Sequence, residues 1–119
     1  MQDFRNLKVW QKAHSLTLDV YRSTRKFPED ERYGLTSQLR RSCASVPANL
    51  AEGCARASDI DFARFVNNAA GSASESDYHL LLARDLEYFT ESEYLPLFDH
   101  ISEVKRMLNS FERTLRCDS

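Results

Sequence analysis

Followed at about 100° per residue, the apolar positions of this chain fall into four helical stretches. Over residues 5–26, Leu7, Trp10, Leu18 and Tyr21 form one apolar stripe, and Val9, Ala13, Leu16 and Val20 form a second. Lys8, Lys12, Ser15, Asp19 and Ser23 share the narrow polar face that remains. The two stripes together cover well over half the circumference, whereas packing in one small bundle buries a stripe of roughly 100° or somewhat more. The surplus predicts a second contact for this helix, another subunit being the simplest, with Val9, Trp10, Ala13, Leu16 and Val20 as interface candidates.

Phe27-Pro28 ends the first helix and opens the next, where Glu29, Asp30 and Glu31 suit a positive helix terminus. Gly34 predicts a bend before a long segment over 35–54, and Gly53 with the polar stretch 56–59 predicts its stop. Ser58 is placed to cap a third helix, with Asp59 and Asp61 in its first turn and Phe62, Phe65, Val66, Ala69 and Ala73 on its inner face. Beyond "GSASES" (71–76) the apolar stripe is read as moving to Tyr78, Leu82, Leu86 and Phe89, a change of neighbour. Thr90 and Glu93 spell a capping box, and Tyr94, Leu97, Ile101, Val104, Leu108, Phe111 and Leu115 then alternate spacings of three and four. Short connections make neighbours antiparallel, so the expected fold is all-α: one domain over 1–119, an up-down antiparallel four-helix bundle.

Composition adds little to that picture but excludes several alternatives. With 3 Gly and 3 Pro in 119 residues there is little material for the turns of an all-β fold. Three cysteines, odd in number and without a C-x-x-C pair, together with the lack of a leader or of any apolar run approaching ~18 residues, predict a reducing, cytoplasmic setting and no membrane span. Charge is uneven: residues 1–41 carry nine basic and five acidic side chains, residues 42–119 seven and thirteen. Arg22, Arg25, Lys26, Arg32 and Arg40, with Arg41 beside them, are therefore candidate contacts for RNA or DNA.

The most unusual stretch is "QLRRSCASVPANLAEG" (38–53), small and polar with Pro47 in a helix interior. Small residues here and over 69–76 allow a close crossing of two helices, and Pro47 frees a carbonyl that Ser42 or Ser45 is placed to satisfy. Arg41, Asn49, Glu52 and Glu75 are candidates for a buried polar network fixing that crossing, with Glu75 in reach of His79 one turn on. On that reading Glu52→Ala would be costly. No catalytic, cofactor or metal site is expected. None of His14, His79 and His100 follows a Glu by three residues as a di-iron bundle requires, Cys43 and Cys54 share a face as small buried residues, and no Gly-rich phosphate loop or hydrolase elbow is present.

"NLKVWQKAHSL" (6–16), "FPEDERYGLTSQLRRSCASVPANLAEG" (27–53) and "RFVNNAAGSASES" (64–76) resemble the four-helix-bundle proteins of the 23S rRNA intervening-sequence family, in order and over nearly the whole chain. The resemblance implies a protein with no established enzymatic activity. It extends to the accessory variability protein of diversity-generating retroelements, a homopentameric barrel that binds nucleic acid and a reverse transcriptase. It thereby implies a homo-oligomer, a pentamer, and leaves the role open: the broad apolar face of the first helix and the acidic later helices point to a scaffold or adaptor for a protein partner, with an accessory protein that binds RNA or DNA as the alternative. The retroelement protein is strongly basic, whereas this chain has a net charge of −2.

Overall fold

The computed structural model describes residues 3–117, an elongated body of 45 × 23 × 20 Å. Four helices account for most of it: α1 (Lys8–Ser23), α2 (Leu35–Cys54), α3 (Asp59–Asp85) and α4 (Glu91–Cys117). Each packs on its sequence neighbour and α1 closes the square against α4. Partners read in opposite senses all round. Thr17 meets Cys43 and Thr24 meets Arg40 between α1 and α2, while Arg41 meets Glu75 and Ser45 meets Ser72 between α2 and α3. Lys12 meets Glu103 and Lys26 meets Glu93 between α1 and α4. The bundle is up-down and antiparallel.

The first helix is shorter than the 5–26 that periodicity predicts. Asp3 accepts the Arg5 amide at 3.0 Å, folding Phe4–Asn6 into a separate 3-10 turn, and extended Leu7 interrupts the chain before α1. A second such turn, Thr24–Lys26, and a third, Glu29–Glu31, build the elbow to α2. Glu31 secures this elbow. One carboxylate oxygen caps the Leu35 amide at 3.1 Å and the other accepts the Tyr88 hydroxyl at 2.8 Å, and both bonds hold the acid below its usual range. A Cβ on Gly34 would lie 2.7 Å from that carboxylate, which would have to move and give up its cap.

α2 has the bounds that the sequence predicts and ends at Cys54, one residue past Gly53. A Cβ on Gly53 would stand 2.6 Å from the Phe62 ring, so the residue permits α2 and α3 to converge. α3 does not change neighbours at 71–76. Its buried positions Phe62, Val66, Ala69, Ala73, Ser76, Leu80 and Ala83 continue one stripe, leaving Tyr78 and Leu86 exposed and Leu82 half-buried, while Phe89, beyond the helix, is buried as expected. Ser76, small and polar, and Ala83, small, conceal that continuity from a search for large apolar residues. Ser58 caps α3 by accepting the Asp61 amide at 3.1 Å. At α4, Thr90 accepts the Glu93 amide at 3.2 Å and Glu93 accepts the Thr90 amide at 2.8 Å, closing the capping box. Lys26 binds the same carboxylate and, with the Thr90 amide, lowers its pKa to about 2.

Candidate functional site

Pro47 lies within an unbroken α2. Lacking an amide proton, it leaves the carbonyl of Cys43, four residues earlier, without its helical donor. The replacement comes from α1, not from Ser42 or Ser45. Thr17 Oγ1 lies 2.8 Å from Ala13 O and 3.3 Å from Cys43 O, sharing its proton between its own turn and the gap in α2. The same hydroxyl is 3.7 Å from the Cys43 thiol, which burial pushes up to about 11. At that value the thiol is protonated at neutral pH and unreactive.

Between α2 and α3 runs a seam of small polar groups. Ser76 donates to Ser42 at 2.9 Å, Ser42 reaches Leu39 O at 3.2 Å, and His79 Nδ1 lies 3.3 Å from Ser42 Oγ. One turn away Ser45 pairs with Ser72 at 2.9 Å, and Asn49 donates to Ser45 O at 2.8 Å. Arg41 and Glu75 join at 2.9 Å, with Glu75 3.8 Å from His79 Nε2. The predicted four-residue network thus divides. Asn49 belongs to the serine seam, Arg41–Glu75 is a largely solvent-exposed ion pair, and Glu52 is exposed with no hydrogen bond or ion pair among the described residues. The reason is angular: on α2, Arg41 and Glu52 project past the edge of the α3 contact. Ser42, His79 and Glu75 have the order of a hydrolytic triad, but Ser42 is 0% exposed, so no substrate carbonyl reaches its oxygen.

The basic candidates also separate. Arg22 lies 3.7 Å from Asp19, Lys26 is bound to Glu93 and Arg41 to Glu75. Arg25, Arg32 and Arg40 have no carboxylate partner among the described residues, and all three line one cavity of about 370 Å³ at the elbow, with Thr24, Phe27, Pro28, Glu29 and Thr36. Arg40 is fixed in place: Nε donates to Thr24 Oγ1 at 2.8 Å, a terminal nitrogen donates to Tyr21 O at 3.2 Å, and the guanidinium lies 4.9 Å from the Tyr21 ring centre. Thr36 is buried, and its hydroxyl has no hydrogen-bond partner among the described residues. Sequence reasoning missed Thr17, Thr36 and the Ser76–His79 seam. Their only advance signal is a hydroxyl or imidazole on the apolar side of a helix.

Of the interface candidates, Val9, Ala13, Leu16 and Val20 lie in the core of the single chain, at 5% exposure or less. They are filled by α2 and α4 and unavailable to a partner. Trp10 is half-buried, stacked on His14 at 4.8 Å, and the outer stripe that includes it leaves Leu18 and Tyr21 40% and 42% exposed. Cys43 and Cys54 are buried and Cys117 exposed. Among the described residues no three His, Cys, Asp or Glu side chains converge as metal ligands, and no helix is long and apolar enough to cross a membrane.

The family model of the 23S rRNA-intervening sequence protein matches residues 5–110. Among solved structures, the chain is similar to a crystal structure of a protein with unknown function from the S23 ribosomal protein family of Bacteroides thetaiotaomicron. The two are 26% identical with a TM-score of 0.78, over 87% of this chain and 97% of that one. No curated protein matches. A match across nearly the whole bundle, including the Pro47 stretch and the serine seam, carries the conclusion that the chain belongs to the 23S rRNA-intervening sequence protein family.

Proposed function

We propose that the protein is a non-catalytic, homo-oligomeric scaffold or adaptor, and that its subunits meet through the outer face of α1. The supporting observation is the outer stripe of α1, where Leu18 and Tyr21 remain 40% and 42% exposed beside half-buried Trp10. On α2, antiparallel to α1, Ala44 and Ala48 are half-buried and exposed, small enough to let a neighbouring helix approach closely. A head-to-tail contact between such faces makes a ring where its rotation closes. Five subunits is the number that the resemblance implies. Sedimentation velocity of wild type against Leu18→Glu/Tyr21→Glu tests this: the wild type should sediment as a discrete oligomer and the variant as a folded monomer. An oligomer of unchanged size would remove the outer face of α1 from the account.

A second reading, an accessory protein that binds RNA or DNA, is favoured by the three arginines that no carboxylate neutralises. Fluorescence anisotropy with single-stranded RNA, structured RNA and duplex DNA tests it. Affinity should fall as salt rises, because each phosphate contact releases counterions. No binding at about 50 mM salt, where such contacts are strong, would discard this reading.

A further inference from the structure

We infer that the elbow cavity between α1 and α2 is a nucleotide site, in which Arg25, Arg32 and Arg40 hold a phosphate group and Tyr33 carries the base. The inference rests on the nucleic-acid reading and assigns that binding to one place. Three guanidinium groups against the single carboxylate of Glu29 leave the cavity with an excess of two positive charges. Arginine forks match the oxygens of a phosphate, and several together suit a dianion better than the single negative charge of a carboxylate. Arg40 does not have to be ordered by the ligand, since Thr24 and the Tyr21 carbonyl already hold it, and its remaining terminal nitrogen is uncommitted. Immobilisation before binding removes part of the entropic cost of association.

Two further observations extend the site beyond a bare cationic patch. Thr36 borders the cavity, and its buried hydroxyl has no hydrogen-bond partner among the described residues, an arrangement that costs stability. Next in sequence to Arg32 of the cavity lining, Tyr33 is 88% exposed, the most exposed of the large apolar side chains, with the Arg32 guanidinium 5.5 Å from its ring centre. An exposed ring next to phosphate-binding arginines is the arrangement by which single strands are held without sequence readout: cations follow the backbone and the ring stacks a base. The volume of about 370 Å³ exceeds what inorganic phosphate fills and falls within the range of small-ligand sites. The same chemistry is offered by a free mononucleotide and by one unit of a single strand.

The test is anisotropy of a 3′-fluorescein-labelled mixed-sequence RNA single strand against the full chain at low salt, with unlabelled AMP and inorganic phosphate as competitors. Arg25→Gln/Arg32→Gln should weaken binding at least about tenfold and flatten the salt dependence. Tyr33→Ala should weaken it about tenfold, as loss of one stacked base does. Glu29→Gln removes the opposing charge and should tighten binding. Arg25, Arg32, Tyr33 and Glu29 are all exposed, so thermal melts of these variants should match wild type. AMP displacing the strand better than inorganic phosphate supports the nucleotide assignment, and equal displacement overturns the part given to Tyr33. A strand bound equally by wild type and all variants overturns the site while leaving the nucleic-acid reading intact. No binding by wild type overturns both.

Discussion

At the scale of single residues, the bond from Thr17 to Cys43 O is what makes Pro47 tolerable inside α2. Thr17→Val leaves that carbonyl buried with no donor and should cost about 1–2 kcal/mol. Pro47→Ala restores the amide that the carbonyl lacks, so Thr17→Val should cost distinctly less in that background. The check is a double-mutant cycle by urea denaturation, and simple additivity would contradict the pairing. Glu52→Ala, which the sequence alone makes costly, should fall within about 0.5 kcal/mol of wild type, as exposed substitutions do. His79 gives a pH dependence of definite sign. Burial, opposed by Glu75 and reinforced by Arg41, lowers its pKa from the ordinary 6.5. Across the α2 interface Ser42 meets the ring and Arg41 is the charged group, while Glu75 approaches from its own helix. The unfolded chain therefore takes up a proton that the folded chain resists. The stability due to neutral His79 is complete above about pH 6.5 and declines as pH falls below it. Urea midpoints between about pH 7.5 and pH 5 should show this decline, and His79→Gln should reduce it.

At the scale of elements, exchanging glycine with a larger residue acts in opposite directions at positions 53 and 87. Gly53→Ala places a methyl against Phe62, whose ring is itself held edge-on by Phe111 at 5.2 Å. The overpacking, about 1–3 kcal/mol, exceeds the helix-propensity gain of about 0.5–1 kcal/mol, so the melting temperature should drop. Glu87 has φ 66 at the end of α3, where the Tyr88 amide donates to Ala83 O at 2.9 Å. Glycine suits that left-handed position better, and Glu87→Gly should stabilise the protein by about 0.5–1 kcal/mol. The helices themselves were legible wherever local chemistry marks them: Ser58 and the Thr90–Glu93 box fix two starts, and the three-four spacing of α4 holds from Tyr94 to Leu115. Elsewhere local pattern was insufficient. The two stripes of α1 are equally apolar, and only packing determines that Val9–Val20 faces inward and Trp10–Tyr21 outward. In α3, serine and alanine carry the core where α2 comes close, so a stripe defined by large residues points to the wrong face.

At the scale of the whole molecule, tertiary structure sorts the charges in a way that no window of sequence reveals. Lys26 and Glu93 are 67 residues apart and Arg41 and Glu75 are 34 apart, yet these pairs remove two cations from the candidate surface and leave Arg25, Arg32 and Arg40 around one cavity. The proposed contact at Leu18 and Tyr21 is apolar and should persist at high ionic strength, which screens exposed charges. The central claim, that the chain functions as an assembled scaffold, is tested most directly by native mass spectrometry of the untagged full chain from a volatile buffer of low ionic strength. The account predicts one dominant closed oligomer, five subunit masses by the resemblance, with Leu18→Glu/Tyr21→Glu reduced to one. A wild-type spectrum of monomers alone, at concentrations where the fold is intact, would contradict it.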